Sequence, residues 1–261
     1  MNPRDDNSSK RWKATRTVRF VALWLFLAGI PGLAIEREKT VQRLMDATEV
    51  LKETIRIPEG GIPGHLLRSA EGLIVIPGLL KGAFIVGGRH GRGIMVHRMD
   101  NGKWSNPCFI GLSGGNVGFQ IGGQAVDVIL VVANKKGFES VLKDHFTISG
   151  DATAALGPIG RSAEFGTDLK LKAELLSYSR SRGFFAGVSL EGARLSIDNK
   201  ANTAFYGQKV EVRNILTDTS MAYVTEIKPM LRVLKPFAGI KGAPAHLEAP
   251  PAPKPSPLKI N

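Results

Sequence analysis

Gly111-Leu112-Ser113-Gly114-Gly115 fits the G-x-S-x-G spacing that exposes a strained serine nucleophile when it sits on a strand-to-helix turn. The residues that follow, NVGFQIGGQ, are glycine-broken and strand-like, so no helix-forming run completes such a turn. Asp127, Asp144 and His145 stand downstream as triad partners, and a serine esterase using Ser113 is a minor alternative. The five histidines (His65, His90, His97, His145, His246) are dispersed, with no i, i+4 pair and no H-E-x-x-H run, which argues against a metal site. One cysteine, Cys108, can build neither a disulfide framework nor a zinc centre, and its apolar neighbours mark it as a small buried hydrophobe. There is no G-x-x-x-x-G-K-[ST] loop, and the glycines at 87–93 lack G-x-G-x-x-G spacing. No cofactor and no enzymatic activity are expected.

What remains is a surface suited to phosphate. Lys81, Arg89 and Arg92 lie among Gly82, Gly87, Gly88, Gly91 and Gly93, where exposed backbone amides can form anion-binding concavities and arginine can bind phosphate through two N–H groups. Arg180 and Arg182 form a second cluster, on one face if their strand is regular. The same cations also suit a role as edge charges that keep sheets from pairing, and the glycines equally suit the corners of a curled sheet. The net charge is +12, of which +4 falls in residues 1–34 and +2 in 241–261. The remaining +6 is scattered singly along the chain, without the stripe and stacking aromatics of a nucleic-acid binder. An anionic membrane surface fits this balance better. Charge alone is weak: five basic residues at about 1 kcal/mol each give roughly 5 kcal/mol, a dissociation constant of order 0.1–1 mM. Firm attachment needs an inserted apolar face or a fitted headgroup pocket as well.

The elements that must hold these residues can be read from spacing. Val41, Leu44, Met45, Thr48, Leu51 and Ile55 lie on one face of an amphipathic helix over 36–56, whose polar face mixes both signs of charge. That apolar face can pack on a sheet or lie on lipid. A short helix is expected near 64–70, entered after Pro63. From 72 to 192 short β-rich runs are broken by 22 of the chain's 30 glycines, which indicates many strands rather than long helices. Asp100-Asn101-Gly102 predicts a hairpin with a type I′ turn. VDVILVV (126–132) suits a central strand, and DLKLKAEL (168–175) a strand with one wet face. Asn134 should cap a helix over KKGFESVLK. Helical spacing returns at Met221, Val224, Ile227, Leu231 and Leu234, with Pro229 bending or splitting that element. The fold class is therefore α+β: one domain built on a curled antiparallel sheet, barrel- or sandwich-like, with an N-terminal amphipathic helix and further helices packed at its ends.

At the N-terminus, KRWKATRTVR precedes the apolar run FVALWLFLAGIPGLA, which ends in Gly32-Leu33-Ala34. This is the pattern of a signal peptide cleaved after Ala34, and it implies a bacterial exported protein, periplasmic or secreted. The alternative is an N-terminal membrane anchor, for which the run is short and broken by Gly29, Pro31 and Gly32. The expected domains are a signal peptide over 1–34, a folded domain over 35–240, and a proline-rich tail over 241–261.

Five blocks carry a family resemblance: AEGLIVIP (70–77), KGAFIVGGRHGRG (81–93), GKWSNP (102–107), GPIGR (157–161) and YSRSRGFFAGVSLEG (178–192). In this order they resemble the SYLF domain, also known from yeast actin-binding members, over roughly residues 36–235. The resemblance implies phospholipid binding, of phosphoinositide type in eukaryotic members, with actin as a further partner in fungi. It also implies that the N-terminal amphipathic segment meets lipid, which would give Arg37, Lys39 and Arg43 that role here.

Overall fold

The computed structural model describes residues 31–57, 61–84, 86–116, 122–143, 146–157, 173–181, 184–186 and 190–239. At its centre is one sheet of nine strands curled into a half-barrel. The strands are β1 (Gly72–Phe84), β2 (Val86–His97), β3 (Cys108–Asn116), β4 (Gly122–Val132), β5 (Phe146–Thr147), β6 (Ala154–Leu156), β7 (Leu175–Ser181), β8 (Phe184–Ala186) and β9 (Arg194–Ile197). Their order is β5-β9-β3-β2-β1-β4-β7-β6, with β8 beside β7. Every pair is antiparallel except β6 with β7. The expected α+β class, with a curled, mainly antiparallel sheet, is what the chain adopts.

Helices cover both faces of the sheet. Helix α1 (Pro31–Arg56), with α2 (Gly64–Ser69), α4 (Asn199–Tyr206) and α6 (Lys228–Leu234), packs on one face over Leu73, Val75, Ile94, Val96, Phe109, Ile129 and Val131. Helices α3 (Lys135–Val141) and α5 (Val212–Thr217) pack on the other, over Ile74, Ile76, Met95, Ile110, Val128, Leu130 and Val132. Double coverage explains the unbroken apolar runs at 73–76 and 128–132. With no wet side, successive residues go to opposite cores instead of alternating with polar ones. Each large side chain so buried contributes roughly 1.5–3 kcal/mol.

The local signals mostly place these elements. Asn134 caps α3, its side-chain oxygen accepting from the Gly137 amide at 2.9 Å. Pro63 precedes α2. Helix α1 buries Leu44, Ala47, Thr48, Val50, Leu51 and Thr54, whereas Met45 is 57% exposed. The buried stripe is thus turned toward Ala47 and Val50 because α1 meets α4 and α6 as well as the sheet. Pro229 does not bend a helix. It lies in the first turn of α6, after a 3₁₀ turn over Thr225–Ile227, where its missing N–H goes unused.

One expectation is corrected. The 99–103 turn is not type I′: only Gly102 has positive φ (+76°), with Gly102 N–H bonded to Met99 O and Met99 N–H to Lys103 O. It is a type I turn closed by a glycine bulge, which needs positive φ at one residue instead of two. The strand expected at 168–175 falls mostly outside the described residues. The strand observed, β7, begins at Leu175 and puts Leu175 and Leu176 into opposite cores, so neither face is wet there.

Candidate functional site

Two hairpins and the ends of two further strands converge at one end of the sheet. The β1–β2 hairpin closes on Phe84 and Val86, β3 ends at Asn116 opposite Gly87, β4 starts at Gly122 opposite Ala83, and β7 turns into β8 beside the start of β4. The described parts of the family blocks at 81–93 and 178–192 reach this end. Lys81, Arg89, Arg92 and Arg180, separated by up to 99 positions in sequence, therefore share one end of the sheet. Lys81 and Arg89 are direct register partners. Arg182 lies outside the described residues.

These cations are not equivalent. Arg89 shares its face with Met95 and is buried. Its Nη2 donates to the carbonyls of Gly115 and Glu191, each at 3.3 Å, and burial lowers its pKa. It ties the 190–193 segment to the end of β3. Arg180 lies on the α1 face and pairs with Glu53 in the last turns of α1. Arg37 pairs with Glu226, and Arg43 with Asp198 at 3.0 Å, with the Arg43 side chain only 10% exposed and its guanidinium over the Phe109 ring. Lys39 is exposed, 3.9 Å from Glu36. The cations of α1 at 37 and 43 thus fasten the helix to the body, while its outer surface presents Ile35, Glu38, Gln42, Met45, Asp46 and Glu49. Arg92 is exposed on the α1 face, past the end of α1, and forms no ion pair among the described residues.

The register aligns further side chains beside Arg92. Ala125, Leu80, His90, Ser113 and Arg194 form a row across β4, β1, β2, β3 and β9, and all five are exposed, Leu80 by 61%. Arg92, Gly111 and Ser196 form a second row. Two residues along each strand toward the hairpin tips, Gly123, Gly82, Gly88 and Gly115 stand in register on four adjacent strands. At the 4.7–4.9 Å strand spacing this file of glycines is about 14 Å long. Arg194, His90 and Leu80 were not among the candidates read from sequence: the β1–β2 register sets Leu80 beside His90, and Arg194 joins them only because β9 pairs with β3 from about 80 residues away.

A family model named Ysc84, described as "Las17-binding protein actin regulator", matches residues 113–237. The human SH3 domain-containing YSC84-like protein 1 is 36% identical over 186 residues, which is 71% of this chain and 54% of that one. Its Xenopus laevis counterpart is 34% identical over 198 residues, 73% and 58% of the two chains. Protein YSC84 of Saccharomyces cerevisiae is 32% identical over 177 residues, 67% and 37%. The chain belongs to the SYLF (Ysc84) family. It spans about half the length of the animal relatives it matches, and less of the yeast one.

Within this SYLF fold Ser113 sits inside β3, paired with His90 on one side and Arg194 on the other. That is regular strand rather than a strand-to-helix turn, so the serine lacks the strained geometry of a nucleophile elbow. Asp144 and His145 lie outside the described residues. Cys108 is fully buried, its thiol pushed up to about 12 chiefly by burial, and the Asn202 amide lies 3.7 Å from its sulfur. A thiol held protonated in this way is a packing group. Among the described residues no cluster of His, Cys, Asp or Glu could hold a metal, and no helix is long and apolar enough to cross a membrane.

Proposed function

We propose that this SYLF protein is a non-enzymatic module that attaches to anionic phospholipid membranes through the glycine-rich end of its sheet. The observation that carries the reading is the contrast between Arg92, exposed and without an ion pair among the described residues, and Arg37, Arg43 and Arg180, each committed to a carboxylate of the fold. Cations already paired attract lipid phosphate weakly, whereas an unpaired one retains its full field. This reading moves lipid contact from α1 to the sheet. Flotation of the full chain with phosphatidylcholine vesicles, with and without phosphatidylserine, tests it. Binding that requires the anionic lipid and weakens with salt is expected, and equal absence from both vesicles would exclude it.

A second reading follows from the family description, which names an actin regulator that binds Las17. On that reading the domain engages actin, and co-sedimentation with filaments should occur without lipid; for an exported chain the alternative partner is an envelope protein. We also propose that residues 1–34 direct export, with cleavage after Ala34 and an uncleaved N-terminal anchor as the alternative. Helix α1 begins at Pro31, so the expected cleavage point lies in its first turn. Sequencing the N-terminus of the mature chain would find Ile35 first if the segment is removed.

A further inference from the structure

The glycines of the sheet fall into two kinds. Some are required by packing: a Cβ on Gly93 would sit 2.2 Å from Val75 O, and one on Gly91 would lie 2.6 Å from Ile76 and 2.7 Å from Leu79. Others are not. A Cβ on Gly115 would meet nothing within 4 Å, and one on Gly88 only Gly114 O at 3.9 Å. Gly88 and Gly115 belong to the four-strand file, they do not have positive φ, and they share a face with exposed Leu80, His90 and Arg92. Nothing among the described residues demands glycine at either position. What glycine provides there is bare backbone, open to close approach from outside.

We infer that this strip is the membrane-contact surface: a glycine floor bordered by Arg92, Arg194 and His90, with Leu80 as the side chain that enters the bilayer. The inference rests on the membrane reading above and deepens it by naming the surface. Charge favours an anionic bilayer as the occupant. The aligned positions across these rows include two arginines and a histidine, and the carboxylate beside them on the same face of β4, Asp127, is turned to the Gly78 amide in the β1 bulge. Shape favours it too, since a floor without side chains lets headgroups approach the paired strands closely while the bordering guanidinium groups reach their phosphates. An inserted Leu80 supplies the apolar component that charge alone lacks.

Three variants of the full chain test this in the same vesicle assay. Gly88→Gln with Gly115→Gln raises the floor in open space and should leave the melting temperature unchanged while abolishing most binding. Arg92→Gln with Arg194→Gln should weaken binding about 30-fold, from about 1 kcal/mol per basic residue. Leu80→Trp should shift its added emission to the blue on phosphatidylserine vesicles, relative to the unsubstituted chain, and that emission should be quenched by brominated acyl chains. As a control, Lys39→Gln on α1 should bind as the unsubstituted chain does. If the unsubstituted chain binds and the floor-filled variant binds equally, or if the emission added by Leu80→Trp does not move at saturation, the strip is not the contact surface although the membrane reading stands. If the unsubstituted chain binds no vesicle, the membrane reading fails and the strip falls with it. If polyglutamate binds through Arg92 and Arg194 while vesicles do not compete, the surface serves an acidic protein and the inference is overturned.

Discussion

Asp127 Oδ1 accepts a hydrogen bond from the Gly78 amide at 3.0 Å, reaching from β4 into the bulge of β1. At Pro77-Gly78 the register of β1 slips against both neighbours, and Gly78 takes φ +55°. Proline brings no N–H to the bulge, so the Gly78 amide is the donor that the slip strands, and the carboxylate satisfies it. The slip is what lets β1 continue past the end of α1 and present Leu80 outward.

Asp127→Ala should therefore destabilise the fold by about 1–2 kcal/mol, the range for a partly exposed hydrogen bond to a charged acceptor. Urea unfolding would show a lower midpoint with an unchanged slope. Asp127→Asn keeps an acceptor oxygen and should recover most of the loss. A midpoint unmoved by Asp127→Ala would mean that the bulge holds itself.

Gly93→Ala and Gly115→Ala should separate by several kcal/mol. The first pushes a methyl to 2.2 Å from the Val75 carbonyl in a rigid pair of strands, an overpacking that costs about 1–3 kcal/mol or more. The second adds a methyl in open space, and alanine in a strand loses less entropy than glycine, so stability should hold or rise slightly. Thermal melts of the two variants side by side decide the matter.

The sheet was legible from glycine density and short apolar runs, and α1 and α3 from periodicity and the Asn134 cap. Register was not. No local pattern states that β9 pairs with β3, or that Gly82, Gly88, Gly115 and Gly123 align, because each pairing depends on loop lengths and on a bulge at Pro77-Gly78. Helices α4 and α5 were missed for a related reason. They are short and their apolar residues face two different cores, Phe205 one and Leu216 the other, so neither repeats a stripe long enough to read. The Asp198 cap and Gly207 at φ +72° were the available signals for α4. The family resemblance gave the α1 cations a lipid-facing role, whereas Arg37 and Arg43 pair with carboxylates more than 150 positions away, a partnership no local pattern states.

Asp198 has two tasks, accepting from Arg43 at 3.0 Å and from the Ala201 amide at 3.0 Å. Asp198→Asn retains the cap and removes the charge, whereas Asp198→Ala removes both. The alanine variant should be less stable than the asparagine one by about 1 kcal/mol, the usual worth of an N-cap. In the background of Arg43→Gln, Asp198→Asn should cost less than it does alone, and that coupling measures the ion pair. Additive losses would show that Arg43 acts through its packing on Phe109.

Glu226 gives the fold an acid-sensitive fastening. Its own backbone N–H first, then the Arg37 side chain, hold its carboxyl below the usual glutamate range. A depressed carboxylate contributes stability that is fully present above its unfolded value, near 4.3, and is lost as pH falls through the lower folded value. Glu226→Gln should therefore lower the melting temperature at neutral pH, and the gap to the unsubstituted chain should close as pH falls below about 4.3 and through the lower folded value. Added salt should narrow the neutral-pH gap, since the pair lies near the surface. A gap that persists unchanged into acid would assign the loss to packing of α1 against the 225–227 turn and not to charge.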